Sequence, residues 1–171
     1  MRIKDRHACK DKKLEIPVAW IREKRSAKGA FDGLDAEARD TLLISIETGC
    51  RQTDTHDLPA PAIILGPAIP HIEVAFEKGD FRREVKNIAP VRQLPLVGLA
   101  LAAAKRHPAG FPRYRDRQSD FALVTKYLRT NQLVPSDKHT VGGVRHTGET
   151  RLKLIGFKAD DRGEMKARRG P

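Results

Sequence analysis

The chain has 171 residues, 32% of them charged, with a formal net charge of +11 at pH 7 and only 5% aromatic residues. Its length supports one domain with one core, and its excess of Lys and Arg calls for an anionic partner, nucleic acid first and an acidic membrane surface second. So few aromatics argue against a single-strand binder built on stacking platforms, while Cys9 and Cys50 offer neither a disulfide framework nor zinc-ligand spacing.

No apolar run approaches the ~20 residues of a membrane span. Met1 to Lys13 is charged throughout, unlike a signal peptide. The expectation is a basic intracellular protein with no membrane partner.

In chain order, a basic lead-in to Lys13 precedes a first helix, Pro17 to Lys28. Pro17 stands near its first turn, Gly29 is its stop, and Trp20 lies on its inner face. The strongest helix signal is Asp35 to Thr48. Asp35 is suited to the N-cap, Leu34, Ala38, Leu42 and Ile46 recur at helical spacing, and Gly49 follows as a stop.

Apolar runs at Ala62 to Leu65 and His71 to Phe76, parted by Gly66-Pro67, read as two strands. Lys78-Gly79-Asp80 is a turn signal. Val85-Lys86 and Gln93 to Val97 could add short strands, which Pro90 and Pro95 make edge-like. Gly98 to His107 is an Ala/Leu helix stopped by Pro108, and the loop behind it carries Arg113, Arg115 and Arg117. Ser119 to Asn131 is a helix with Phe121, Val124 and Leu128 as its stripe. A linker from Pro135 leads to Thr140-Val-Gly-Gly-Val-Arg145-His146-Thr147, and a last short helix spans Asp160 to Arg168.

Arg145 is entered from a glycine pair and followed by helix formers, so its guanidinium falls beside the free N–H groups of a helix N-terminus, a ready phosphate site. Arg51 directly follows the helix stop, and Lys86 lies beside a turn signal. Two guanidinium forks and an ammonium that converge can hold the crowded oxygens of a phosphodiester under attack. Scattered solvated charges are the plain alternative in so basic a chain. His56, His71 and His139 match no metal-site spacing, so no metal is expected.

Helix, Thr48-Gly49-Cys50-Arg51-Gln52-Thr53-Asp54, β-segments with Lys86, then Val144-Arg145-His146-Thr147 is an order that resembles the catalytic domain of the tyrosine recombinases, the phage-integrase enzymes. Gly33 to Asp40 and Gly110 to Asp116 resemble a proteobacterial branch. The resemblance implies an α+β fold, mainly helical with a small antiparallel sheet. It divides the chain into a lead-in and first helix (1–30) and a partial integrase-like catalytic domain (31–171). By position, Arg51 and Arg145 resemble the two catalytic arginines. Lys86 resembles the general acid toward the departing 5′ oxygen, Asp54 the supporting acidic residue, and His146 the structural neighbour of the second Arg. Arg113, Arg115, Lys138 and Arg151 are the expected DNA-binding positions. Duplex DNA and further integrase protomers are the implied partners. The bacterial cytoplasm or nucleoid is the implied location, and the family's chemistry needs no cofactor.

The departures concern the reaction centre. Gly142 stands three residues before Arg145, where the family often has His. Neither His nor Trp follows His146, and no Tyr follows Tyr127. The resemblance therefore implies a truncated or decayed domain of a mobile-element recombinase that keeps DNA affinity but cannot cleave alone, since the family's nucleophile is a Tyr. A non-catalytic basic nucleic-acid-binding module is the alternative, and a binder of an acidic protein is a third reading.

Overall fold

Helix α2 (Ala36–Thr48) is the element around which the chain wraps, and both its ends are set by local chemistry. Asp35, in extended backbone, accepts a hydrogen bond from the Ala38 N–H at 3.2 Å. Gly49 turns left-handed at φ 70°, a conformation open to Gly at little cost, and donates to the Ser45 carbonyl at 3.0 Å. The computed structural model describes residues 14–25, 27–74, 92–115 and 119–154.

Leu34, Ala38, Leu42 and Ile46 are buried, and so are Asp40, Thr41, Leu43, Ile44 and Ser45, so burial runs right round the middle of α2. Such a helix needs neighbours on every side. It packs against α3 (Gln52–His56), α4 (Gly98–Arg106), α5 (Ser119–Thr130) and α6 (Gly143–Leu154). The hydroxyls this burial encloses bond back along the helix, Thr41 to the Ala38 carbonyl at 3.0 Å and Ser45 to that of Thr41 at 2.9 Å.

Among the described residues the sheet is three-stranded and antiparallel, with β2 (His71–Val74) between β1 (Ile63–Ile64) and β3 (Arg92–Pro95). Ile63 pairs with Ile72 and Ile72 with Leu94, giving a buried apolar row across one face. Along β3 and beyond it, Arg92, Leu94 and Leu96 point inward while Gln93, Pro95 and Val97 are exposed. Among the described residues Pro95 thus lies on an edge strand, where it removes no ladder donor. The architecture is α+β, mainly helical, with this small sheet at one side.

The start of the described chain differs from the helix expected over Pro17 to Lys28. One α-helical turn, α1 (Val18–Trp20), widens into a π-helical turn over Ile21–Arg25. Trp20 is only partly buried, packed against the core with the Lys24 ammonium 5.9 Å from its ring centre. The buried anchors here are Ile16, Ile21 and Phe31. Residues 14–16 dock on α6, where Thr147 Oγ1 donates to the Ile16 carbonyl at 2.6 Å. The lead-in to Lys13, the Lys78-Gly79-Asp80 turn, Val85-Lys86 and the helix over Asp160 to Arg168 lie outside the described residues.

Candidate nucleic-acid interface

Arg51 is placed by its backbone. It caps the N-terminus of α3 in extended conformation, and its carbonyl accepts from the N–H groups of Asp54 at 3.0 Å and Thr55 at 3.2 Å. The Thr55 hydroxyl also lies 3.2 Å from that oxygen and 3.1 Å from Ser45 Oγ of α2. Thr55 is completely buried, so the main chain of Arg51 is pinned to α2 while its side chain is exposed.

Arg145 is the third residue of α6. The preceding turn is closed by Gly143 N–H to the Thr140 carbonyl at 2.9 Å and Val144 N–H to that of Val141 at 3.1 Å. Val141 and Val144 are buried and fix the rotation of the helix. One turn on, Gly148 lies against Gly49: a Cβ at Gly148 would stand 2.8 Å from the Gly49 Cα, a distance that real Cβ atoms do not show. Two glycines 99 positions apart therefore let α6 touch the very end of α2. The Arg151 fork seals the contact, donating to the Ile46 carbonyl at 3.3 Å with Glu47 at 3.7 Å.

This contact sets Arg145 near enough to Arg51 for their charges to interact. Burial lowers the pKa of Arg145 below the ordinary guanidinium value, and the charges of Arg51 and then Arg92 lower it further, with the Asp54 carboxylate partly offsetting them. An Arg so shifted still carries its proton at neutral pH. Among the described residues, neither Arg51 nor Arg145 has a side-chain hydrogen bond or ion pair. Asp54 is buried in α3 and receives Arg92 Nη2 at 3.3 Å. Cys50, between the helix stop and Arg51, is buried, which pushes its thiol pKa up to about 11, the Thr48 hydrogen bond offsetting part. It is a packing residue and not a thiolate.

The other sequence candidates lie elsewhere. Lys86 is outside the described residues. His146 is exposed on α6 and Lys138 is exposed in the loop before it. Arg113 is exposed at the far end of α2, where its backbone N–H donates to Glu37 at 3.0 Å and its guanidinium lies 5.7 Å from the Tyr114 ring centre. Arg115 is half-buried and donates to the Leu58 carbonyl at 3.2 Å. The histidines do not gather: His56 meets Asp57, His71 the Ile69 carbonyl and His139 the Ser136 hydroxyl.

Arg92 is the residue that sequence reasoning missed. Its signal was present, since an Arg in step with Leu94 and Leu96 on the inward register of a strand must have a buried partner. The two tyrosines are both engaged away from the arginine pair. Tyr114 donates to the Asp35 carboxylate; Tyr127 donates to the Ala30 carbonyl at 3.1 Å and accepts from the Gly33 N–H at 3.2 Å.

No family model and no curated protein matches the chain. Its fold is similar to that of the Tn1549 transposon integrase bound to transposon right-end DNA, with a TM-score of 0.63 at 17% identity over 94% of this chain. The same integrase bound to circular-intermediate DNA gives a TM-score of 0.62, again at 17% identity over 94% of this chain. The chain spans 59% and 61% of the length of those two structures.

Proposed function

We propose that this chain is part of a DNA-integrating, site-specific recombinase of the tyrosine type, and that it supplies the arginine clamp for the scissile phosphate. What supports this reading is that Arg51 and Arg145 flank the Gly49–Gly148 contact at the C-terminal end of α2, near enough for the charge of one to act on the other, on a fold similar to that of a DNA-bound integrase. Two guanidinium groups without carboxylate partners among the described residues bear a mutual repulsion that a phosphodiester would relieve. Each presents a planar fork matched to two phosphate oxygens. In the Mechanism this implies, Arg51 and Arg145 hold the non-bridging oxygens and favour the doubly charged transition state. Asp54 supports the turn that bears Arg51, and Lys86 gives a proton to the departing 5′ oxygen. His146 is a neighbour of the clamp and takes no proton.

These 171 residues contribute the clamp without a nucleophile, since Tyr114 and Tyr127 are both committed at the other end of α2. Contacts with phosphates are indifferent to sequence, so duplex binding by this chain is non-specific and steeply salt-dependent, with a log–log slope of about −0.9 per contact and a Kd of ~10⁻⁶ to 10⁻⁴ M near physiological salt. The test is fluorescence anisotropy on several unrelated duplexes. Arg51→Ala and Arg145→Ala should each weaken binding equally on all of them. Tight, salt-insensitive, sequence-specific binding would contradict the reading. A nicked suicide duplex should trap no covalent adduct with these residues alone, and an adduct lost on Tyr114→Phe or Tyr127→Phe would identify a nucleophile at odds with it.

A further inference from the structure

The Arg92–Asp54 pair is buried on both sides, with side-chain exposures of 5% and 3%. It joins the first residue of β3 to the middle of α3, and it is the described ion pair that ties the sheet to the helix turn bearing Arg51. Asp54 N–H also donates to the Arg51 carbonyl, so whatever fixes the carboxylate fixes that turn. We propose that Arg92 is a positioning residue for the phosphate clamp, holding Asp54, and through it the Arg51 turn, in the orientation that lets Arg51 and Arg145 grip one phosphate. This inference rests on the recombinase reading above.

Three features of the geometry support it. A buried pair within one element would serve stability alone, but this one spans two elements that carry the site. Its Asp is three residues from Arg51, one turn along the same helix, so that a shift of the carboxylate moves the cap. Arg92 is also near enough for its charge to act on Arg145 directly. Arg92 itself is buried and touches no phosphate.

The experiment measures duplex binding by anisotropy, as a function of salt, for the full chain and for Arg92→Met, Arg145→Ala and the double variant, with melting curves for each. Arg92→Met should lower affinity roughly tenfold, the scale of a hydrogen bond to a charged group. It should also flatten the salt slope by about 0.9, the value of one phosphate contact. The double variant should bind no more weakly than Arg145→Ala, because both changes disable the same grip. A residue with a merely structural role would lower the melting temperature and leave the slope unchanged.

If Arg92→Met does not fold at the working temperature, Arg92→Lys serves instead. It keeps the charge but loses the fork, and a loss of about threefold or more is expected. Unchanged affinity and slope in whichever variant folds, or simple additivity with Arg145→Ala, overturns the inference while leaving the clamp in place. If Arg145→Ala itself binds as well as the unaltered chain, the clamp reading fails and this inference fails with it.

Discussion

The two ends of α2 hold arginines in opposite circumstances. At the N-terminal half, Asp40 is wholly buried and ringed by partners: Arg106 grips it through two bonds of 2.7 Å, Arg39 at 3.1 Å, and the His107 ring lies at 3.0 Å. There the positive charges are drawn inward and used to lock α4 to α2. At the C-terminal end, Arg145 is close enough to Arg51 for their charges to repel, neither has an ion pair among the described residues, and the buried Asp54 carboxylate is engaged by Arg92. One end satisfies its charges within the fold, and the other keeps charges that a ligand can satisfy. The ends are about 18 Å apart, from the ~1.5 Å rise per residue between Glu37 and Gly49. What distinguishes them among the described residues is pairing: Arg106 and Arg39 meet the Asp40 carboxylate, while Arg51 and Arg145 have no ion pair.

The largest expected effect breaks the satisfied end. Asp40→Ala removes the shared acceptor and should cost about 3 kcal/mol in urea unfolding, near the lower range for a broken buried pair because Arg106 can rehydrate. DNA affinity of the folded protein should be unchanged. Burial alone would raise the Asp40 carboxyl, but hydrogen bonds from Arg106 and Arg39 win and hold it below its ordinary value. A depressed pKa contributes stability above the unfolded value of about 3.9, and that contribution is lost as pH falls through the folded value. Asp40→Asn should accordingly flatten the fall in stability on acidification below about pH 4.

The next effect falls on the open end. Gly148→Ala places a methyl group 2.8 Å from the Gly49 Cα, backbone against backbone. Overpacking of this kind costs about 1–3 kcal/mol, less the gain in helix propensity. Unlike Asp40→Ala, it should also weaken duplex binding, because α6 must withdraw Arg145 from Arg51. Loss of stability with full DNA affinity would show that the glycine contact does not set the clamp.

A smaller effect has the reverse sign. Since burial and like charges disfavour the charged form of Arg145 in the fold, Arg145→Met should raise stability by about 0.5–1 kcal/mol, and with it the melting temperature, while lowering DNA affinity. The same change at Arg106, whose pKa is raised by its bond to Asp40, should lower it. The opposed signs of two Arg→Met changes state the contrast between the ends in one experiment.

Much of the frame is legible in the sequence because its signals are local. Asp35 and Gly49 mark the ends of α2, the Ala/Leu run gives α4, and the spacing of Val124 and Leu128 gives α5. What escapes is whatever depends on distant pairing. Gly49 reads as a helix stop but gives no sign of its contact with Gly148. Helix α3 is five residues of Gln, Thr, Asp and His with no apolar period, and its burial follows only from partners such as Ser45. Arg115 and Arg151 read in the sequence as DNA-binding positions, with no sign that the fold uses them to satisfy the Leu58 and Ile46 carbonyls. Arg92 hides in a strand beside Pro95, where only its inward register distinguishes it.

The measurement closest to the central claim is a double-mutant cycle on duplex binding for Arg51→Ala with Arg145→Ala, run beside a control cycle for Arg51→Ala with Arg113→Ala. Residues that grip one phosphate couple, whereas residues some 18 Å apart at separate phosphates add within about 0.5 kcal/mol. The account predicts a coupling of at least 1 kcal/mol for Arg51 with Arg145 and additivity for Arg51 with Arg113. Additive losses for Arg51 and Arg145, or equal coupling in both cycles, would contradict it.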